Sequence, residues 1–230
     1  SRHVLFAVVS YSTQVEWDMT MALHAGAHSL GCRSSIICAK GMADLPRARN
    51  GLFATFVASG ATDMLCVDAD VGWAPGSVER IMSHPVDLVF GAYPRKADGP
   101  PSYSVRGFSE RAEKMRCVDP ATGKEAQGGL IQVQGGPAGF LRITKQCAEA
   151  MLRADAYGNR WYSDDAVPGG KAWQLFEFGY SEEEHLSWSE DIEFCRKYTA
   201  IGGKVWLDPW LTFEHYGKKV YRGCIGSTSL

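Results

Sequence analysis

The amino-acid sequence predicts an α/β fold built on a parallel, three-layer sheet. Three observations carry that expectation. Strand-like and helix-like patterns alternate over residues 1–90, the strand segments are apolar almost without a break, and glycine or proline stands at the joints. Residues 4–9 form the first such strand. Residues 14–30 carry helical spacing, and Gly31 is the natural stop. A second strand covers 34–38. Pro46 stands near the start of a helix over 47–59, which Gly60 ends. Residues 63–67 are the third strand, Pro75 opens a helix running through 82, and 86–90 are the fourth strand. Right-handed crossovers place the ends of parallel strands on one rim, where ligands of such sheets bind.

The regularity fails after Tyr93. Residues 98–101 read as a loop, and the stretch to about Gly129 as β-rich and irregular. Gly135-Gly136-Pro137-Ala138-Gly139 lacks the ending of a phosphate loop and reads as close backbone approach to a sugar or acceptor. A strand over 140–143 follows, and Thr144 caps a helix to about residue 154. Residues 155–171, polar and glycine-rich, are expected to be a mobile loop that closes over a substrate. Trp161, Trp173 and Trp188 flank it as core residues or as platforms for sugar rings. A helix over 190–200 and late strands over 204–207 and 211–214 complete the chain, with His215 after them.

The 230 residues suit one generous domain or two small ones fused across a shared core. The 24 basic and 26 acidic residues give a net charge of −2 without a basic run, which argues against a nucleic-acid partner. Seven cysteines without a CxxC pair read as reduced thiols of a cytoplasmic, reducing compartment and not as a zinc site. No apolar run is long enough for a membrane segment. Ser1 in place of Met suggests an excerpt, so that a peripheral or anchored context would lie outside it.

The third strand runs into two carboxylates, Met64-Leu65-Cys66-Val67-Asp68-Ala69-Asp70. Alternate strand residues share a face, so Asp68 and Asp70 are expected to point the same way. Two adjacent carboxylates repel, and a hard divalent cation relieves the conflict. The competing reading is a turn or a helix cap.

This acidic strand end resembles the Asp-x-Asp motif of GT-A-type, nucleotide-sugar-dependent glycosyltransferases. Ser189-Glu190-Asp191-Ile192-Glu193-Phe194 resembles that family's acidic helix start, and Lys204 to Pro209 with Phe213-Glu214-His215-Tyr216-Gly217 its closing strands. The resemblance implies a GT-A-like fold: a Rossmann-like nucleotide half with a central, mostly parallel sheet, residues 1–94, fused to a smaller acceptor-binding half, residues 95–230. It implies a metal-dependent transfer of a sugar from a nucleoside-diphosphate donor, with UDP ahead of GDP, to a glycan or other acceptor hydroxyl.

Residue by residue, the resemblance assigns Mn²⁺ or Mg²⁺ to Asp68, Asp70 and His215. The nucleotide falls to Ser10, Tyr11 and Ser12 after the first strand, to Arg47, Arg49 and Asn50, to Asp68 with Ala69, and to Lys218 beside Lys219. The acceptor side falls to Asp191, with Glu190 as its rival: a general base in an inverting reaction, or a group that orients the acceptor or supports the sugar donor in a retaining one. Each residue has a plainer reading. His215 suits a core position, the two carboxylates suit a helix N-terminus, and the basic residues suit a solvated face. A metal-dependent nucleotidyltransferase or phosphohydrolase is the second enzyme class, but it calls for glycine and lysine in the first loop, which Ser10-Tyr11-Ser12-Thr13-Gln14 lacks. A non-catalytic nucleotide-sugar-binding module is the third.

Overall fold

The structure, a computed structural model, describes residues 1–12, 14–107, 116–183 and 185–229, and the side chains of all but the last two of these. Thr13 of the first loop and part of the irregular stretch before Gly129 lie outside the described residues. The first half alternates as its sequence predicts: β1 (His3–Ser10), α1 (Trp17–Ser29), β2 (Arg33–Lys40), α2 (Leu45–Ser59), β3 (Asp63–Asp68), β4 (Val71–Trp73), α3 (Ser77–Ser83) and β5 (Leu88–Gly91). The second half adds β6 (Ile131–Val133), β7 (Phe140–Thr144), α4 (Lys145–Arg153), α5 (Asp155–Gly158), β8 (Trp161–Ser163), β9 (Lys171–Trp173), β10 (Gly179–Ser181) and β11 (Leu186–Trp188). It ends with α6 (Glu190–Ala200), β12 (Val205–Asp208), β13 (Phe213–Tyr216), β14 (Val220–Gly223) and the short α7 (Ile225–Ser229).

Both halves build one seven-stranded sheet in the order β2-β1-β3-β7-β5-β12-β6. Strands β2, β1, β3, β5 and β12 run one way, and β7 and β6 run against them. The fold is therefore α/β with a central, mostly parallel sheet.

Strand β1 explains why the apolar runs are unbroken. Leu5, Ala7 and Val9 pack on one face with Phe53 and Phe56 of α2, Met151 of α4 and Phe194 of α6. Val4, Phe6 and Val8 pack on the other face with Met19 and Leu23 of α1 and Ile81 of α3. A strand covered on both sides has no polar face to present.

Helix α2 starts two residues before the sequence expectation, because Asp44 caps it by accepting a hydrogen bond from the Arg47 N–H at 3.1 Å. Gly60 ends it at φ 69°, the left-handed conformation favoured at helix ends. Asp44→Ala is expected to cost about 1 kcal/mol in urea unfolding, the usual worth of an N-cap.

The expected mobile loop is a correction. Residues 161–173 form an antiparallel hairpin, β8 with β9, joined through a 3₁₀ turn at Pro168–Gly170. Val167 and Ala172 pack on Ala54 of α2, and Arg47 bonds Asp164 at 3.2 Å. The segment after it is pinned twice. Asn50 accepts from the Leu175 and Phe176 N–H groups and donates to the Phe176 carbonyl. Lys197 donates to the Gln174 and Leu175 carbonyls and to Glu177. Polar, glycine-rich composition marks residues 155–171 as a loop, yet the β8–β9 pairing and the contacts of Asp164, Val167 and Ala172 with α2 order its second part.

Candidate active site

Three strand ends meet at the carboxyl rim of the sheet: Ser10 of β1, Asp68 of β3, and residues 92–96 after β5. Pairing sets Val9 beside Asp68. Strand β7 enters between β3 and β5, with Phe140 beside Val67, so the glycine-rich segment before it crosses the rim. Sheet β14-β13-β4 then folds over: His215 pairs with Val71, and the Tyr216 N–H bonds the Asp70 carbonyl at 2.8 Å.

Asp68 and Asp70 do not lie on one continuing strand, which removes the alternation argument, although both border the first cleft. Strand β3 ends at Asp68, a turn holds Ala69 and Asp70, and β4 begins at Val71. Asp68 Oδ1 accepts from Arg49 Nη2 at 2.8 Å, and its Oδ2 from the Tyr93 hydroxyl at 2.9 Å. Arg49 also donates from Nε to Glu190 Oε1 at 3.0 Å and from Nη1 to the Ala138 carbonyl at 3.4 Å. One buried guanidinium thus ties α2, β3, α6 and the segment before β7. Burial opposes the charge on Arg49, but Asp68 and Glu190 outweigh it and raise its pKa. Glu190 is 3% exposed; burial and the neighbouring Asp191 charge push its carboxyl up against the pull of Arg49.

Asp70 faces other partners. Its Oδ2 accepts from the Lys96 ammonium and lies 3.6 Å from His215 Nε2. Burial disfavours its charge, yet His215 and Lys96 hold its carboxyl at about 2. His215 Nδ1 lies 2.8 Å from the Pro94 carbonyl, which only accepts, so Nδ1 carries a proton. Nε2 then bears either a second proton or a lone pair aimed at a carboxylate oxygen, and a cation between them suits the second state. The ring packs edge-on against Tyr93, centroids 4.8 Å apart.

Two clefts share Asp70. The first, about 610 Å³, is lined by Ser10, Tyr11, Ser12, Glu16, Leu45 and Asp68 to Asp70. The second, about 430 Å³, holds Asp70, Tyr93, Lys96, Ser189, Asp191 and His215. In the second cleft, Asp191 opens α6. Its Oδ1 accepts from the Ser189 hydroxyl and from the Ile192 N–H at 2.8 Å, while Oδ2 takes neither bond. Ser189 occupies the cap position, but its hydroxyl serves Asp191 and not a helix N–H.

The structure brings Ser10, Tyr11, Ser12, Asp68, Ala69 and Asp70 to one cleft, and Asp70, Asp191 and His215 to the other. It sets Arg49, Asn50 and Glu190 in the protein body, with their polar groups spent on internal bonds. Arg47 faces Asp164, away from both clefts, and Lys218 is exposed in the turn after β13. Gly139 makes room for Asp68 and Tyr93, and Gly136 for the Phe90 ring, while Pro137 between them lines the second cleft. Arg106 and Arg196 lie near the Trp188 ring and Lys171 near the Trp161 and Trp173 rings, with Trp161 still half exposed. Tyr93 and Lys96 were missed. Their position just past a rim-pointing strand was the available signal.

No three His, Cys, Asp or Glu side chains stand at metal-ligating spacing among the described residues. The trio Asp68, Asp70 and His215 is therefore not gathered, because Arg49 and Tyr93 hold the Asp68 carboxylate. Asp70 and His215 remain, one oxygen and one nitrogen donor facing each other. That pair could supply two of the ligands of a divalent cation.

No protein-family model matches the chain, and no curated protein sequence matches it. Among solved structures, A197 from STIV aligns over 98% of this chain and 91% of its own, with a TM-score of 0.53 and 15% identity. GalNAc-T7, solved with UDP, GalNAc and Mn²⁺, aligns over 94% of this chain but 44% of its own, at a TM-score of 0.47 and 11% identity. A glycosyltransferase involved in glycosylating the major capsid of PBCV-1 aligns over 64% of this chain and 62% of its own, at 0.31 and 8%. The first likeness supports the fold alone, and the other two scores are too low to carry an argument. Among the described residues no helix is long and apolar enough to cross a membrane.

Proposed function

We propose that the chain is a metal-dependent glycosyltransferase that moves a sugar from a nucleoside-diphosphate donor, UDP first and GDP second, to an acceptor hydroxyl. One observation carries this reading: Asp70 is the common wall of two clefts, with His215 and Asp191 on its far side. A transferase needs that plan, a donor pocket and an acceptor pocket meeting where the glycosidic bond breaks. Residues 1–94 serve the nucleotide and 95–230 complete the metal and acceptor sites.

The first cleft suits a nucleoside. Tyr11, 80% exposed, offers a ring to the base, and the Ser12 hydroxyl borders the same space. Asp70 Oδ2 and His215 Nε2 are the residues that hold Mn²⁺ or Mg²⁺. An ion held there would supply positive charge against the departing diphosphate. The Pro94 carbonyl fixes the His215 tautomer, and Tyr93 fixes its ring plane. Asp191 Oδ2 receives the acceptor proton in an inverting reaction. The first loop has neither glycine nor lysine, which disfavours the nucleotidyltransferase alternative.

The test is a thermal-shift panel of UDP and GDP, with and without Mn²⁺, on wild type and Asp70→Asn. One nucleotide is expected to stabilise the wild type only when Mn²⁺ is present, by linkage, and the variant not at all. Stabilisation by neither nucleotide under any condition overturns the proposal.

A further inference from the structure

Lys96 stands on the segment that also fixes His215. The Pro94 carbonyl holds His215 Nδ1, and two residues later the Lys96 ammonium reaches Asp70 Oδ2, the oxygen that His215 Nε2 faces. A path for this side chain is built into the fold. A Cβ on Gly217 would stand 3.0 Å from Lys96 Cδ, so the glycine after β13 leaves room for the stem. Arg95 and Asp191 line the same cleft. The ammonium therefore sits on the very Asp70 oxygen that a divalent cation bridging to His215 Nε2 would use, and two cations there repel each other.

We propose that Lys96 is an exchangeable counter-ion: it neutralises Asp70 in the empty site and passes to the diphosphate oxygens when metal and nucleotide arrive together. The inference rests on the metal and nucleotide reading above and deepens it. A divalent ion arriving alone competes with the ammonium for Asp70 and leaves it facing Arg95 and the ion without a new anionic partner. A diphosphate arriving with the ion supplies that ammonium with a new anionic partner. Lysine suits the exchange, as a point charge on a flexible four-carbon stem that binds phosphate from many angles. Metal and nucleotide then assist each other's binding, and the assistance is equal in both directions.

The experiment uses the full chain as wild type, Lys96→Met and Asp70→Asn, with melting curves to establish folding. Free Mn²⁺ is followed by electron paramagnetic resonance during titration, and UDP and GDP binding are followed by calorimetry with and without Mn²⁺. Lys96→Met is expected to bind Mn²⁺ alone about fivefold more tightly than wild type, the scale of a half-exposed ion pair. It is also expected to bind the nucleotide in Mn²⁺ about tenfold more weakly, the scale of a lost charge-assisted contact. Asp70→Asn is expected to lose Mn²⁺ binding. Unchanged or weaker Mn²⁺ affinity in Lys96→Met, with wild type still binding Mn²⁺ and nucleotide, overturns the Lys96 role and leaves the proposed function standing. Failure of wild type to bind either ligand overturns both. Gly217→Ala supplies a second variant, crowding the stem without removing the charge, and is expected to shift Mn²⁺ affinity in the same direction by a smaller factor. No shift, or a shift the other way, counts against the proposed path.

Discussion

Arg49→Met is expected to cost about 3–5 kcal/mol of folding stability, the loss seen when one partner of a buried ion pair is removed. The reason lies in the number of groups that one guanidinium serves. Arg49 is 3% exposed and bonds Asp68, Glu190 and the Ala138 carbonyl, which arrive from three separate stretches of chain. Methionine fills much of the volume but leaves Glu190, also 3% exposed, without its cation. Urea unfolding in the absence of any nucleotide measures the effect. A residue that served only the donor would leave that curve unchanged, so the curve separates the positioning role of Arg49 from a donor contact. The pH dependence has a definite sign. Burial and Asp191 already raise the Glu190 carboxyl above its ordinary value, and loss of Arg49 raises it further. A carboxyl whose folded pKa exceeds its unfolded one binds protons more readily when folded, so stability is gained as pH falls through the folded value. The deficit of Arg49→Met is therefore expected to shrink from pH 8 to pH 5, and Arg49→Met with Glu190→Gln is expected to recover part of it.

How far the sequence could be read depended on the range of the physics involved. Strand β1 was legible because a strand buried on both faces must be apolar throughout, and α6 because an acidic start and a Gly-Gly stop bracket it. The meeting of Ser10 with Asp68 followed from parallel pairing, since both are strand ends on one rim. The two aspartates were misread in one respect: alternation requires a continuing strand, and β3 ends at Asp68. Which cation meets each carboxylate was not legible, because Arg49 and Glu190 are 141 positions apart and nothing local links them. Asn50 and Lys197 likewise order residues 174–177 from a distance, which composition cannot reveal. Lys96 escaped notice because residues 93–96 have no periodicity, only a position after β5.

Asp191→Asn is expected to lower kcat by about 10²–10⁴, the usual contribution of a general base, while KM for the donor stays within a few fold. The substitution keeps the shape of the side chain and the Oδ1 bond from the Ile192 N–H, so α6 keeps its start. It removes the basicity of the second oxygen, in the cleft that also holds Asp70 and His215. Steady-state rates and Mn²⁺-dependent nucleotide binding, measured side by side, divide the roles. Asp70→Asn should lose both, whereas Asp191→Asn should lose the rate and keep the binding. Glu190→Gln should behave differently from either, with lower stability and a modest effect on rate, because its carboxylate faces Arg49 and not the cleft. The pH profile adds an independent check, since loss of the base removes the acidic limb of the wild-type rate curve. An Asp191→Asn enzyme with the full wild-type rate would leave Asp191 only the favourable charge it gives a helix N-terminus, and the acceptor proton would have to leave by another group.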